Sequence, residues 1–275
     1  GYGSAAGVAS WNGALTISGA LDGKVTVQAT GTSDYYTSAV GLQSSSTLTI
    51  GSIGSTAEIS VTATAGSGSG MAVAYGIKSS DGDVTVNGDV GGSISATQAG
   101  DSGYAYGISA SSALNIKGSS TAAITASAVD GAYGLSTGDG DLTIGTKVLA
   151  GTSVWRAASV TGGDLGGSIT ATATGTGWGD DAVGAYAYYN LKIRGSSTAT
   201  ITATAKQGDA TGLRAYDGDI RIGTDLYTYN ALYDVYTVNG VNGGDLGGSI
   251  TATSKYDDAY GLRAYYGIEV RGSLT

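Results

Sequence analysis

Eight times along the chain a Gly followed by a small or aliphatic residue is answered, seven or eight positions later, by an aliphatic-x-aliphatic triplet. The glycines are Gly7, Gly41, Gly76, Gly107, Gly134, Gly184, Gly212 and Gly261. The triplets open at Leu15, Leu48, Val84, Leu114, Leu142, Leu191, Ile220 and Ile268, so the spacing alternates strictly between 8 and 7. Away from two longer repeats, the period is 27 to 35 residues. Self-similarity on that scale marks a solenoid, in which each unit buries its apolar face only against its neighbours.

About ten residues after the triplet comes a third apolar segment: Val25-Thr26-Val27, Ile59-Ser60-Val61, Ile94-Ser95-Ala96, Ile124-Thr125-Ala126, Ile169-Thr170-Ala171, Ile201-Thr202-Ala203 and Ile250-Thr251-Ala252. All three segments alternate apolar and polar with period 2, as strands with one buried face do. The fold expected is therefore all-β, a parallel β-helix or β-solenoid of about eight coils with three short strands each. Residues 1–275 should form a single rod. The turns Asn12-Gly13, Asp81-Gly82, Asp139-Gly140 and Asp217-Gly218 call for positive φ or Asx-type bonding. They fall only in odd-numbered coils, so the larger repeat is a pair: a type A coil with this turn and a type B coil without it, four pairs in all.

With 49 Gly and no Pro, Cys, Phe or His, the interior must be built from Ala, Val, Ile and Leu. Without Cys there is no disulfide scaffold, and without His as well the usual zinc and thiol chemistries are excluded. A net charge of −9 argues against nucleic acid as a partner. No run of 18 apolar residues exists to span a membrane as a helix.

The step from triplet to third segment lengthens to 27 residues in coil 5 and 30 in coil 7, through insertions at about 147–161 and 225–242. Both begin after Gly-Thr and rejoin at Gly-Gly-Asp-Leu-Gly-Gly-Ser-Ile. Two coils apart, they should project from one edge of the rod about 9.6 Å from each other. The first carries Trp155 and Arg156, the second Tyr227, Tyr229, Tyr233 and Tyr236. These are the candidate contact residues, since Trp, Tyr and Arg dominate recognition surfaces. The alternative is that the two insertions merely pack on each other.

Other features repeat with the coil. Asp34, Asp101, Asp130, Asp180, Asp181, Asp209, Asp257 and Asp258 precede the Gly anchors. They read either as a solvated acidic edge or as calcium ligands at acidic turns. Arg214 and Arg263, or Lys117, Arg194 and Arg271, can neutralise part of that edge. Thr26, Ser60, Ser95, Thr125, Thr170, Thr202 and Thr251, with a second file two residues on, form an outward hydroxyl array. It reads as a strand ladder, or as an ice-binding face. Tyr75, Tyr106, Tyr133 and Tyr260 should stack as an interrupted ladder. No catalytic residue and no cofactor is expected: a β-helix enzyme acting on polysaccharides needs a unique acid–base cluster, and here the carboxylates recur from coil to coil.

Units such as Gly-Ser-Ile-Thr-Ala-Thr-Ala (167–173) and Ala-Tyr-Gly-Leu-Ser (132–136) resemble the repeats of bacterial surface β-solenoids, in the style of autotransporter passengers and filamentous-haemagglutinin-type adhesins. The resemblance implies a right-handed parallel β-helix, secretion and display at the cell surface, and brings no catalytic residue with it. The chain opens Gly1-Tyr2-Gly3, and its last residues, Arg271 to Thr275, repeat the start of a type B turn. Uncapped coils at both ends should continue into further repeats or stack head to tail. The role expected is structural: a subunit or segment of an extracellular filament, sheath or matrix fibre, or else the shaft of an adhesin that binds surface glycan.

Overall fold

The computed structural model describes residues 3–31, 36–66, 70–152, 155–177, 179–230 and 235–275. They form 27 strands and no helix, so no helix among the described residues is long and apolar enough to cross a membrane. Three parallel sheets of eight, eight and seven strands take one strand from each coil, save that the third receives none from coil 8. In coil 3 these are Ala72–Ser79, Val84–Val86 and Ser93–Ala99. The fold is the parallel β-solenoid that the repeat calls for. Outside its first two coils the register does not slip: Leu48, Val84, Leu114, Leu142, Leu191 and Ile220 pair in one file through the second sheet, all fully buried.

The Gly anchors have a steric cause. Each of the first seven sits in the first sheet opposite the leading Ile or Val of the third strand of its own coil. A Cβ added at Gly134 would lie 2.3 Å from Cγ2 of Ile169 and 2.5 Å from the carbonyl oxygen of Gly184 in the next coil. Gly76, Gly107, Gly184 and Gly212 meet Ile94, Ile124, Ile201 and Ile250 in the same way. The branched methyl thus presses on bare backbone, and the rod stays narrow enough for Ala, Val, Ile and Leu to fill it.

The four Asx-Gly turns work differently from the sequence expectation. None of Gly13, Gly82, Gly140 and Gly218 adopts positive φ. Gly82, Gly140 and Gly218 are needed for close approach instead, since a Cβ there would meet backbone of the preceding coil at 3.1, 2.8 and 2.4 Å. The turns are tied by hydroxyls at the ends of first-sheet strands: Gly82 N–H donates to Ser79 Oγ at 3.1 Å, and Thr137 Oγ1 donates to the Gly140 carbonyl at 2.8 Å. Positive φ falls instead at Gly92, Gly167 and Gly248 (66°, 71° and 77°), where type A coils enter the third sheet. That left-handed backbone favours glycine.

A and B coils also interlock. At the corner between the second and third sheets, Val90, Leu165 and Leu246 of A coils bridge to Ser120 and Ser197 of B coils, alternating large with small. From the same corner the A coils 3, 5 and 7 clamp the B coils that follow. Asp89 and Asp164 accept the N–H groups of Ser119 and Ser196, both at 2.8 Å, and Asp245 accepts that of Ser273 at 2.7 Å.

Candidate functional site

The insertions of coils 5 and 7 are two β-hairpins, Thr146–Gly151 with Trp155–Thr161 and Thr224–Asn230 with Val235–Asn242. Their facing strands pair antiparallel, Trp155 with Asn230, Arg156 with Tyr229 and Ala157 with Thr228. One four-stranded sheet results, beside the three parallel ones. The pairing has a simple metric basis. Two strands of a hairpin occupy about 9.6 Å, and two coils advance the rod by about the same distance. Hairpins placed on alternate coils therefore abut edge to edge, so packing on each other and presenting a surface are achieved together.

Within this sheet the candidate residues separate. Trp155 and Arg156 are both exposed and alternate to opposite faces, as neighbours on a strand must. Tyr227 is half-buried on the face turned toward the rod, where the Lys147 ammonium lies 4.4 Å from its ring centroid. Tyr229 and Tyr236 pair with each other across the second hairpin, and Tyr233 lies outside the described residues. What composition missed is the apolar content of the outer strands: Val148, Leu149, Val238 and Val241 are each more than two-fifths exposed. The outer strands Thr146–Gly151 and Val235–Asn242 each pair on one side only. Unpaired, exposed and β-prone edges of this kind are templates for pairing with another chain.

The acidic file is real but partly neutralised. Asp181, Asp209 and Asp258 stack on successive coils, their backbone carbonyls accepting the N–H groups of Ala132, Ala182 and Ala210 in the coil before. Arg214 reaches back to Asp181 at 3.4 Å and Arg263 to Asp209. Burial raises the Asp181 carboxyl above the usual range, against the pull of the Asp209 N–H and Arg214. Carboxylate oxygens of Asp209, Asp257 and Asp258 lie within 4.8 Å of one another, which brings a possible calcium ligand set together. However, Asp209 already holds Arg263 and Asp258 accepts the Tyr260 hydroxyl at 2.6 Å. Asp34 lies outside the described residues. Lys117 and Arg194 do not serve the acidic edge: Lys117 donates to Asn87 at 2.8 Å, and Arg194 has no ion pair among the described residues.

The hydroxyl files run in register through the third sheet, from Thr26 and Ser60 to Thr202 and Thr251. The tyrosine ladder is interrupted, as the sequence indicates. Tyr75, Tyr106 and Tyr133 stack at 4.9 and 5.1 Å, the coil spacing, but Val183 and Thr211 take the next two places. Tyr260 is thereby separated from the stack.

Comparison with known proteins finds no matching family, no matching curated sequence and no matching solved structure. The parallel solenoid therefore stands on its own geometry, and its membership of a bacterial surface family is a matter for proposal.

Proposed function

We propose that the chain is an extracellular structural β-solenoid, a subunit or segment of a filament, sheath or matrix fibre, acting by association rather than catalysis. The observation that carries this reading is the hairpin sheet. It adds two singly paired strand edges, with Val148, Leu149, Val238 and Val241 exposed, to a rod whose third sheet presents files of Thr and Ser and whose first sheet presents a tyrosine column. Strand pairing across those edges would join rods side by side. Constant coil register supports axial growth as well, because a coil from a second copy can add to the ladder in the way each coil adds to the last. The extracellular setting is supported by the likeness of the repeats to bacterial surface β-solenoids.

Electron microscopy of the purified chain, alone and as the double variant Leu149→Lys and Val238→Lys, tests the proposal. Bundled or laterally paired rods that separate in the variant are expected. Single rods in both samples would overturn lateral association.

The second reading is the shaft of an adhesin that binds surface glycan. It is favoured by one observation, the groove beneath the hairpin sheet, where Tyr227 and Lys147 face the rod.

A further inference from the structure

The chain carries 13 Lys and Arg against 22 Asp and Glu, yet its cations are not spread evenly. Five of them, Lys147, Lys192, Arg194, Arg221 and Arg271, line a groove of about 400 Å³ between the underside of the hairpin sheet and the second parallel sheet. A second depression of about 300 Å³ adjoins it, shares Lys147 and Arg194, and adds Lys117. Among the described residues no carboxylate lines this second depression; its other polar walls are the hydroxyls of Thr85, Thr143 and Thr146 and the amide of Asn115.

Matching each cation with its partner shows where charge is left over. Lys192 pairs with Asp141 at 2.5 Å, Arg221 with Asp219 at 2.8 Å, and Arg271 with Asp225 and with Glu269 at 2.6 Å. Lys147 rests on the Tyr227 ring and Lys117 on the Asn87 amide, both without a carboxylate among the described residues. Arg194 stands out. Its Nε is enclosed and has no hydrogen-bond partner among the described residues, and burial lowers the pKa of the guanidinium, with Asp141 only partly opposing the shift. A guanidinium held in this way lacks the planar acceptor its fork is shaped for. An enclosed donor without a partner is costly, and the half-buried side chain, which lines both depressions without an ion pair among the described residues, leaves its terminal N–H groups to an anion there.

We propose that Lys117, Lys147 and Arg194 form an anion site for an acidic saccharide, with a uronate carboxylate or sulfate ester set against Arg194. The sugar hydroxyls would meet the threonines and Asn115, and the ring face would meet Tyr227. Both depressions open to solvent along the rod, which suits a chain-like ligand better than an enclosed metabolite. The assignment rests on the adhesin reading for the source of its ligand, but not on any association between rods.

The test is calorimetry on the whole chain with tetragalacturonate, its uncharged galactose counterpart and inorganic sulfate, at low and high ionic strength. Expected is binding of the uronate that weakens with salt, with the neutral sugar and sulfate each bound at least about tenfold more weakly. Arg194→Gln and, independently, Lys147→Gln should each weaken uronate binding about tenfold or more, whereas Lys24→Gln, at a distant ion pair in coil 1, should leave it unchanged. No binding, equal binding of the neutral sugar or of sulfate, or binding untouched by either variant would overturn the site. Microscopy of the same samples separates the outcomes, since rods that associate without binding uronate refute the groove and leave the structural reading in place.

Discussion

Tyr106 and Tyr133 stack with ring centroids 5.1 Å apart and planes 9° from parallel, each ring supplied by its own coil. With Tyr75 they form a half-buried column on the outside of the first sheet. Burial is the main cause that drives all three phenols well above their ordinary value near 10, with neighbouring tyrosines adding to it and, at Tyr133, the Asp181 charge. A group whose folded pKa is raised stabilises the fold fully below the unfolded value and loses that contribution as pH climbs through the folded one. The tyrosine contribution should therefore be constant below about pH 10 and fall away above it. Circular dichroism recorded alongside phenolate absorbance would show these three rings ionising only as the coils open. Tyr106→Leu should cost about 1–3 kcal/mol by removing two stacked contacts.

On the acid side Asp141 is one of the responsive groups. Burial alone would raise its carboxyl, but the hydrogen bonds from Lys192 and from the backbone and side chain of Asn190 outweigh that and hold it below its usual value. Its contribution is present above about pH 4 and disappears as pH falls through the depressed value. Asp141→Ala should destabilise the rod by about 1–3 kcal/mol at neutral pH. The difference from the parent chain should shrink in acid, as read by denaturant titration across pH.

Gly134→Ala would place a methyl against both Ile169 and the Gly184 carbonyl. About 1–3 kcal/mol of destabilisation is expected from this overpacking. Combining it with Ile169→Ala should not restore stability, because the carbonyl contact is backbone and the added cavity carries its own penalty. Hydrogen exchange resolved by coil would show the loss centred on coils 5 and 6.

Removing both hairpins should leave the solenoid intact. Deleting 146–162 brings Ile144-Gly145 directly onto Gly163-Asp164, the spacing of Val86-Asn87-Gly88-Asp89 in coil 3, and deleting 224–243 does the same in coil 7. Far-ultraviolet circular dichroism and cooperative melting should persist. Collapse of the parallel sheets would mean that the hairpin sheet holds the rod together.

The coils were legible in the sequence because Gly anchors, triplets and third strands each obey a strict spacing, and a one-residue slip would turn every Ile and Leu outward. The hairpins were harder to read. Their strands carry alternation of their own, as in Tyr227 and Tyr229, but the insertions looked like loops because no neighbouring repeat exists to compare them with. The turn glycines misled because Asx-Gly has two uses, positive φ and close approach, and only the adjoining coil shows which applies. The leftover charge on Arg194 was invisible for a related reason: Lys117, Lys147 and Arg194 lie in coils 4, 5 and 6 and meet only when the coils stack.

Because two strands of a hairpin span the same distance as one A–B pair, the outer sheet has no built-in limit. Every further A coil that accepts a hairpin at the same Gly-Thr junction would extend it by two strands without strain. The junctions thus form a display lattice with a pitch of about 10 Å. Peptides grafted there would be held side by side in fixed orientation, with a repeat measured out by the rod itself.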